Sequence, residues 1–373
     1  MKTVYRTLVL RCDLSRLPPE VAEKIPKLLK VQKEFRRWAA EWVRSGGSLP
    51  LPDKPLRRFA KEFLYAGRML NWFEKKNNVK VKKMKSPLFF DVQLRLKNEH
   101  DMSCGILIDV PRKELRIRKW GGRMALPLTQ NAVKWILERS KEGGRLVLAM
   151  VWIGRSRRSN AAKLYVALIF RREVASLQPK RLLVIDLNAL HNGLAWAVVE
   201  ERRIVTKGIL RPNVSKIAHM QKVASKLDSA CAKKDKACDG AMAAKSRTWR
   251  MLRIWEDEAA KKLVRLAIQY KAAIIADVPF DQSIRELKKD GLVAERKIFL
   301  NFGRLRRRIK DIARWYGVSY REERLYSTIC PRCGGKMSEQ PNRRMRCACG
   351  FTAHRDVVPM YWASKLHSKF LFF

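Results

Sequence analysis

Acidic side chains are scarce in this chain. Its 373 residues hold 35 Asp and Glu against 81 Lys and Arg, a formal charge of +46. That balance excludes a neutral surface and implies a polyanionic partner, with nucleic acid the first candidate. Long apolar runs are missing too. The longest, such as Leu146–Ile153, stop well short of the roughly 18 residues that a membrane span needs. No amphipathic anchor or lipidation motif takes their place, so a membrane surface is the weaker choice of partner. The N-terminus, MKTVYRTLVLRCD, alternates apolar and polar residues and lacks a signal-peptide core. The chain is therefore expected in the cytoplasm, associated with the nucleoid. No internal repeat is present.

What the chain does hold is 47% apolar residues, enough for a globular protein of two or three domains. Residues 1–12 alternate (Val4, Thr7, Val9) and read as a strand. From Pro18 to about Lys76 the period becomes helical. Val21, Ile25, Leu28, Leu29, Val31, Phe35, Trp38 and Trp42 recur at helical spacing, and LRRFAKEFLYAGRMLNWFEKK opens a second helix after a Gly-Gly-Ser-Leu-Pro break. A basic connector, VKVKKMK at 79–85, leads to short strands. FFDVQLRL places Phe90, Val92, Leu94 and Leu96 on one face, and ELRIRKW, RLVLAMVWIG and KLYVALIFRR follow. Short strands divided by Gly, Pro and Asn predict an antiparallel β-barrel. The helical segment splits it, because the first strand comes before that segment. Arg116 and Arg118 stand opposite Leu115 and Ile117, a basic face that suits a phosphate backbone or is simply solvated.

The pattern changes near SLQPKR, 176–181. LLVIDLNALHNGLAWAVV reads as an apolar strand ending in Asp186, a turn, and a second strand from near Leu194. A lysine-rich helical region at about 215–270 leads to AAIIADVPF, a strand ending at Asp277. The basic helix FLNFGRLRRRIKDIARWYG and a short strand at Val318–Glu322 complete the run. Strands alternating with helices predict an α/β domain.

Eight cysteines in a cytoplasmic chain are not expected to form a disulfide framework. Cys12, Cys104, Cys231 and Cys238 are scattered and read as ordinary thiols. The other four cluster. Cys330-Pro-Arg-Cys333 and, 13 residues on, Cys347-Ala-Cys349 put four thiolates on two turns, followed by Gly334, Gly335 and Gly350. Zinc takes four such ligands in a tetrahedron. With every position filled by sulfur, the metal is structural. The second knuckle is one residue shorter than the usual spacing. The loop between the knuckles carries Arg343, Arg344 and Arg346, a basic element for phosphates. His354 is a competing zinc ligand or a surface group.

Two-metal nucleases need carboxylates that converge from separate parts of the chain. Asp186 and Asp277 each end an apolar strand, where packing gives an acid no reason to stand. Asp356 opens DVVPMYWASKL, and Pro359 there fits only the first turn of a helix. Each has another reading. A strand-end Asp caps a turn, and Asp356 caps its helix or pairs with Arg355.

The order of these features resembles the TnpB (OrfB) proteins of insertion sequences, relatives of the compact type V CRISPR effectors. VIDLN, IIADVP, RLYSTICPRCG and CACGFTAHRDVV carry the resemblance, over roughly residues 180–365. It implies an RNase H-like (RuvC) nuclease domain at 176–326 and 352–373, with a zinc ribbon inserted at 327–351. It also implies a wedge-like β-barrel at 1–14 and 78–175, interrupted by a helical recognition lobe at 15–77. The implied activity is RNA-guided cleavage of double-stranded DNA, with a guide RNA reading the target by base pairing. Asp186 and Asp356 match the family's first and last catalytic acids, and with Asp277 as the candidate second acid they would hold Mg²⁺, while Cys330, Cys333, Cys347 and Cys349 would hold Zn²⁺. Two positions depart from the family pattern. Asn188 stands where a glycine is common, and Ala276-Asp277 stands where the family has Glu-Asp. Either Asp277 supplies the second carboxylate, or the chain is a nuclease-inactive relative that binds DNA under RNA guidance as a repressor. A third reading is an unguided nucleic-acid-binding protein.

Overall fold

A computed structural model describes residues 1–14, 17, 19–23, 25–53, 56–70, 88–96, 105–118, 123–155, 162–187, 193–201, 203–232, 239–277 and 302–365. The basic connector 79–85, residues 71–77 of the helical segment, Asn188, Cys104 and Cys238 lie outside the described residues. The chain divides into two units, Thr3–Glu173 and Met1–Lys2 with Val174–Phe373.

In the first unit the alternating N-terminus forms β1 (Lys2–Asp13), and the helical spacing yields α1 (Pro19–Ala22), α2 (Ile25–Arg44) and α3 (Arg57–Leu70). The apolar stripe of this helical segment is aromatic. Phe35 meets Phe63 edge to face at 5.5 Å, Phe63 meets Phe89 at 5.6 Å, and Phe59 meets Phe90 at 5.4 Å. These rings are buried. At about 1.5–3 kcal/mol for each buried ring, they anchor the helices on β2 (Leu88–Phe90). Gln32 of α2 adds a polar tie. Its amide nitrogen donates to the Ile153 carbonyl at 3.3 Å, and its oxygen accepts the Ile153 N–H at 2.9 Å.

The unit continues with β3 (Val92–Arg95), β4 (Ile106–Asp109), β5 (Glu114–Arg118), β6 (Arg123–Pro127), α4 (Gln130–Lys141), β7 (Arg145–Arg155) and β8 (Ala162–Val174). Among the described residues these strands form two four-stranded sheets, β1-β8-β7-β2 and β3-β4-β5-β6, and no closed barrel. Nor is the pairing wholly antiparallel, because β3 and β4 run parallel. The single strand expected in FFDVQLRL breaks at Asp91. Its Oδ1 accepts the Gly105 N–H at 2.8 Å and pairs with Arg58, so the chain turns from one sheet to the other there. Helix α4 stands where no element was expected. Thr129 starts it by accepting the Ala132 N–H on Oγ1 at 3.3 Å, and Val133 and Ile136 bury its inner face.

The second unit holds β9 (Arg181–Leu187), β10 (Leu194–Glu200), β11 (Arg203–Leu210), α5 (Val214–Ala232), α6 (Asp239–Gln269), β12 (Ala272–Asp277), α7 (Phe302–Trp315) and β13 (Tyr320–Glu323). They are followed by β14 (Ser338–Gln340), β15 (Arg344–Arg346), β16 (Thr352–His354) and α8 (Val358–Lys365). The main sheet has the order β11-β10-β9-β12-β13. β10 is antiparallel to β9 and β11, whereas β12 is parallel to β9 and β13. This mixed α/β sheet meets the RNase H-like expectation. Both faces of its central strands are covered, so those strands read as continuous apolar runs. On one face Leu183, Ile185, Ile274 and Ala276 pack against Leu263 and Ala267 of α6 and Leu305 and Ile309 of α7. On the other, Leu182, Val184, Ala273 and Ile275 pack against Met360 and Ala363 of α8. Gly317 makes the turn from α7 to β13. Its φ is +70°, and a Cβ there would lie 2.2 Å from the Ala175 carbonyl oxygen. Cys231, expected as an ordinary thiol, is instead disulfide-bonded, and Cys12 is free.

Candidate carboxylate site and cysteine cluster

Asp186 and Asp277 end neighbouring parallel strands. Ile185 is paired with Ala276, so the next rung sets Asp186 opposite Asp277. Side chains alternate between faces along a strand. Leu182 and Val184 face α8, and so do Ala273 and Ile275. By the same alternation Asp186 and Asp277 belong to the α8 face, whereas Ala276 belongs to the α6–α7 face. The hydrogen bonding agrees. Asp277 Oδ1 accepts the N–H of Leu325, a member of the α8-side core, at 2.8 Å. Asp186 is buried. Asp356 is buried as well, in the turn that feeds α8, where the Val357 N–H donates to the His354 carbonyl at 2.8 Å. α8 packs on β9, so the turn delivers Asp356 on the side of the sheet that carries the other two acids. Pro359 lies in the first turn of α8, where the sequence requires it.

The partner of Asp356 is not its neighbour. Arg343 Nη2 donates to Asp356 Oδ1 at 2.7 Å, while Arg355 turns away to Glu339 at 2.9 Å. No local sequence pattern marks the Arg343 contact, which needs β15 and β16 to pair, with Arg344 opposite His354. Nothing in its local sequence marks Glu323 on β13 either. It stands opposite Asp277 in the parallel register, a third acid-bearing strand end.

Cys330, Cys333, Cys347 and Cys349 have sulfurs all within 4.8 Å of one another. Two sulfur–sulfur distances are 3.6 and 3.4 Å. Four sulfurs about 2.3 Å from one zinc would lie about 3.8 Å apart, so the cluster has the size that zinc requires. The short second knuckle does not spoil it, because Gly334 and Gly350 take φ of 79° and 82° and close the two turns. The Gly334 N–H donates to the Cys330 carbonyl at 2.9 Å and the Gly350 N–H to that of Cys347 at 3.0 Å. The Gly335 N–H points at Cys333 Sγ at 3.4 Å. Burial opposes the Cys330 thiolate, yet the Cys333 and Arg332 amides outweigh it and bring the thiol down to about 7. The Cys349 amide favours the Cys347 thiolate, but burial and the neighbouring thiols push that thiol up to about 12. Sulfurs this close compete for ionisation, and a divalent cation among them removes the conflict. His354 is outside the cluster.

The ribbon is joined to the carboxylates. Its core of Cys330, Met337, Met345 and Cys347 includes Val358 of α8, and Trp362 Nε1 donates to the Ile329 carbonyl at 2.7 Å. Among the described residues the cysteines are the only group of three or more potential metal ligands drawn together so tightly. The three aspartates are more widely spaced.

Residues 302–359, from α7 through the ribbon to the start of α8, match the family model described as Cas12f1-like, TNB domain. The fold of the chain resembles that of the protein in a Cas12f1–sgRNA–target DNA complex. The TM-score is 0.51 at 11% identity, covering 92% of this chain and 83% of that one. Over most of its length the chain therefore has the fold of a compact Cas12f1 protein. The protein in a CRISPR–Cas12f ternary complex also aligns, over 91% of this chain and 80% of that one, with TM-score 0.35 and 12% identity. No curated protein matches the chain in sequence.

Proposed function

We propose that the chain is an RNA-guided DNA endonuclease of the TnpB type, with a RuvC-like site formed by Asp186, Asp277 and Asp356. The observation that carries this reading is that all three acids belong to the α8 side of one mixed sheet, two of them on opposed strand ends. Mg²⁺ bound by these residues would activate water and stabilise the leaving oxygen. Asp277 takes the place of the family's glutamate from the face that the other two acids share, and the Leu325 amide orients it. The four cysteines hold Zn²⁺ and fix the ribbon against α8, which keeps Asp356 in place.

The charge of +46 suits a chain that holds an RNA and a DNA duplex together. The similar Cas12f1 is found with an sgRNA and target DNA. In this reading the N-terminal strands act as the wedge and the helical segment as the recognition lobe, and the protein works at the nucleoid. No described helix is long and apolar enough to cross a membrane. Purification followed by sequencing of the bound RNA tests the proposal. A defined RNA whose replaced guide segment redirects cutting is expected. A protein that binds nucleic acid with no defined RNA would support unguided binding instead.

A further inference from the structure

We propose that Arg343 is a latch on Asp356, coupling divalent-ion binding at the carboxylates to the arrival of a phosphate-bearing strand at the ribbon. This rests on the metal-site reading above. Arg343 sits in the turn between β14 and β15, and its Nη2 donates to Asp356 Oδ1 at 2.7 Å. His354 is the other titratable group facing that carboxylate, with Nδ1 3.7 Å from Oδ2. That nitrogen accepts the Asp356 N–H at 3.3 Å, so it is not free to donate to the carboxylate. Arg343 is therefore the cation at hydrogen-bonding distance among the described residues.

The contact is held by its frame. Asn342 and Arg343 both adopt left-handed backbone, with φ of 59° and 57°, a region that arginine seldom enters. The Arg343 carbonyl accepts the Arg355 N–H at 2.8 Å, and Arg355 is paired in turn with Glu339. The guanidinium is not fully used. Its Nε is buried and has no hydrogen-bond partner among the described residues. The side chain as a whole is 36% exposed, so the outer edge of the guanidinium can take a second acceptor, and its fork matches a phosphate.

A carboxylate held by a guanidinium resists a divalent ion, because the fixed positive charge stays beside the incoming one. A phosphate that captures Arg343 neutralises that charge and frees Oδ1. By linkage, strand and ion then strengthen each other's binding by the same factor. Asp356 stays idle until a strand is present.

The test uses full-length, zinc-loaded protein without nucleic acid, titrated with Mn²⁺ and read by electron paramagnetic resonance. Arg343→Gln binds Mn²⁺ roughly tenfold more tightly than wild type, the effect of removing one partly solvated charge. Arg343→Lys keeps the charge and the wild-type affinity. Arg344→Gln, the same charge loss on the next residue, stays near wild type. A phosphorothioate single strand tightens Mn²⁺ binding in wild type and not in Arg343→Gln. Zinc content and melting temperature confirm that each variant is folded. Equal affinity in Arg343→Gln and wild type, or an equal gain in Arg344→Gln, overturns the latch. If Asp356→Asn leaves Mn²⁺ binding unaltered, the metal-site reading itself fails and the latch with it.

Discussion

Replacing Ala276 with glutamate separates the two accounts of the second acid. By sequence order, Ala276 occupies the family's glutamate position, and Ala276→Glu would restore it. By strand alternation, Ala276 belongs to the α6–α7 face, is 0% exposed, and packs in a core with Ile274, Leu263 and Ile309. A glutamate there has neither room nor a partner. Overpacking costs about 1–3 kcal/mol, and burying an unpaired carboxyl about 1–3 kcal/mol more. Together these take about 2–6 kcal/mol from a unit whose whole stability is about 5–15 kcal/mol. Thermal unfolding should fall by at least about 4 °C, at about 2–4 °C per kcal/mol for a unit of this size. Cleavage should not improve. Asp277→Glu, which lengthens the acid on the other face, should melt near wild type. An Ala276→Glu protein as stable as wild type and faster in cleavage would refute the assignment of faces.

Asp186→Asn and Asp356→Asn should each lower cleavage by at least about a hundredfold with RNA binding intact, because both remove charge and keep shape. Cys330→Ser should lose its zinc, as measured by metal content, and speed hydrogen exchange at residues 354–358, because the Cys330 core includes Val358. Gly317→Ala should cost at least about 1–3 kcal/mol in a denaturant titration, since its φ is left-handed and Ala175 blocks the Cβ.

Much of the second unit is legible in its residues. LLVID and AAIIAD announce buried parallel strands, because only strands covered on both faces run apolar without alternation. The cysteine spacing announces the ribbon, because four thiolates on two glycine turns have one common use. The pairing of Asp186 with Asp277 is a matter of register, which no local pattern carries. Arg343 reaches Asp356 only because a hairpin folds back across 13 residues. In the first unit, alternation identifies strands but not which of them pair. Asp91 reads as one polar residue in a strand, yet its bonds to Gly105 and Arg58 turn the chain between two sheets. α4 carries little local signal, because QNAVKWILERSK is a short amphipathic stretch among strands, and its start depends on a single threonine.

Single-turnover cleavage of matched duplex DNA, with the protein carrying its own RNA and Mg²⁺ present, tests the central claim most directly. Wild type should cut, and Asp277→Ala should fall by at least about a hundredfold with RNA binding intact. Cleavage unchanged in Asp277→Ala would contradict the three-aspartate site, and no cleavage by wild type would leave an RNA-guided binder in place of a nuclease.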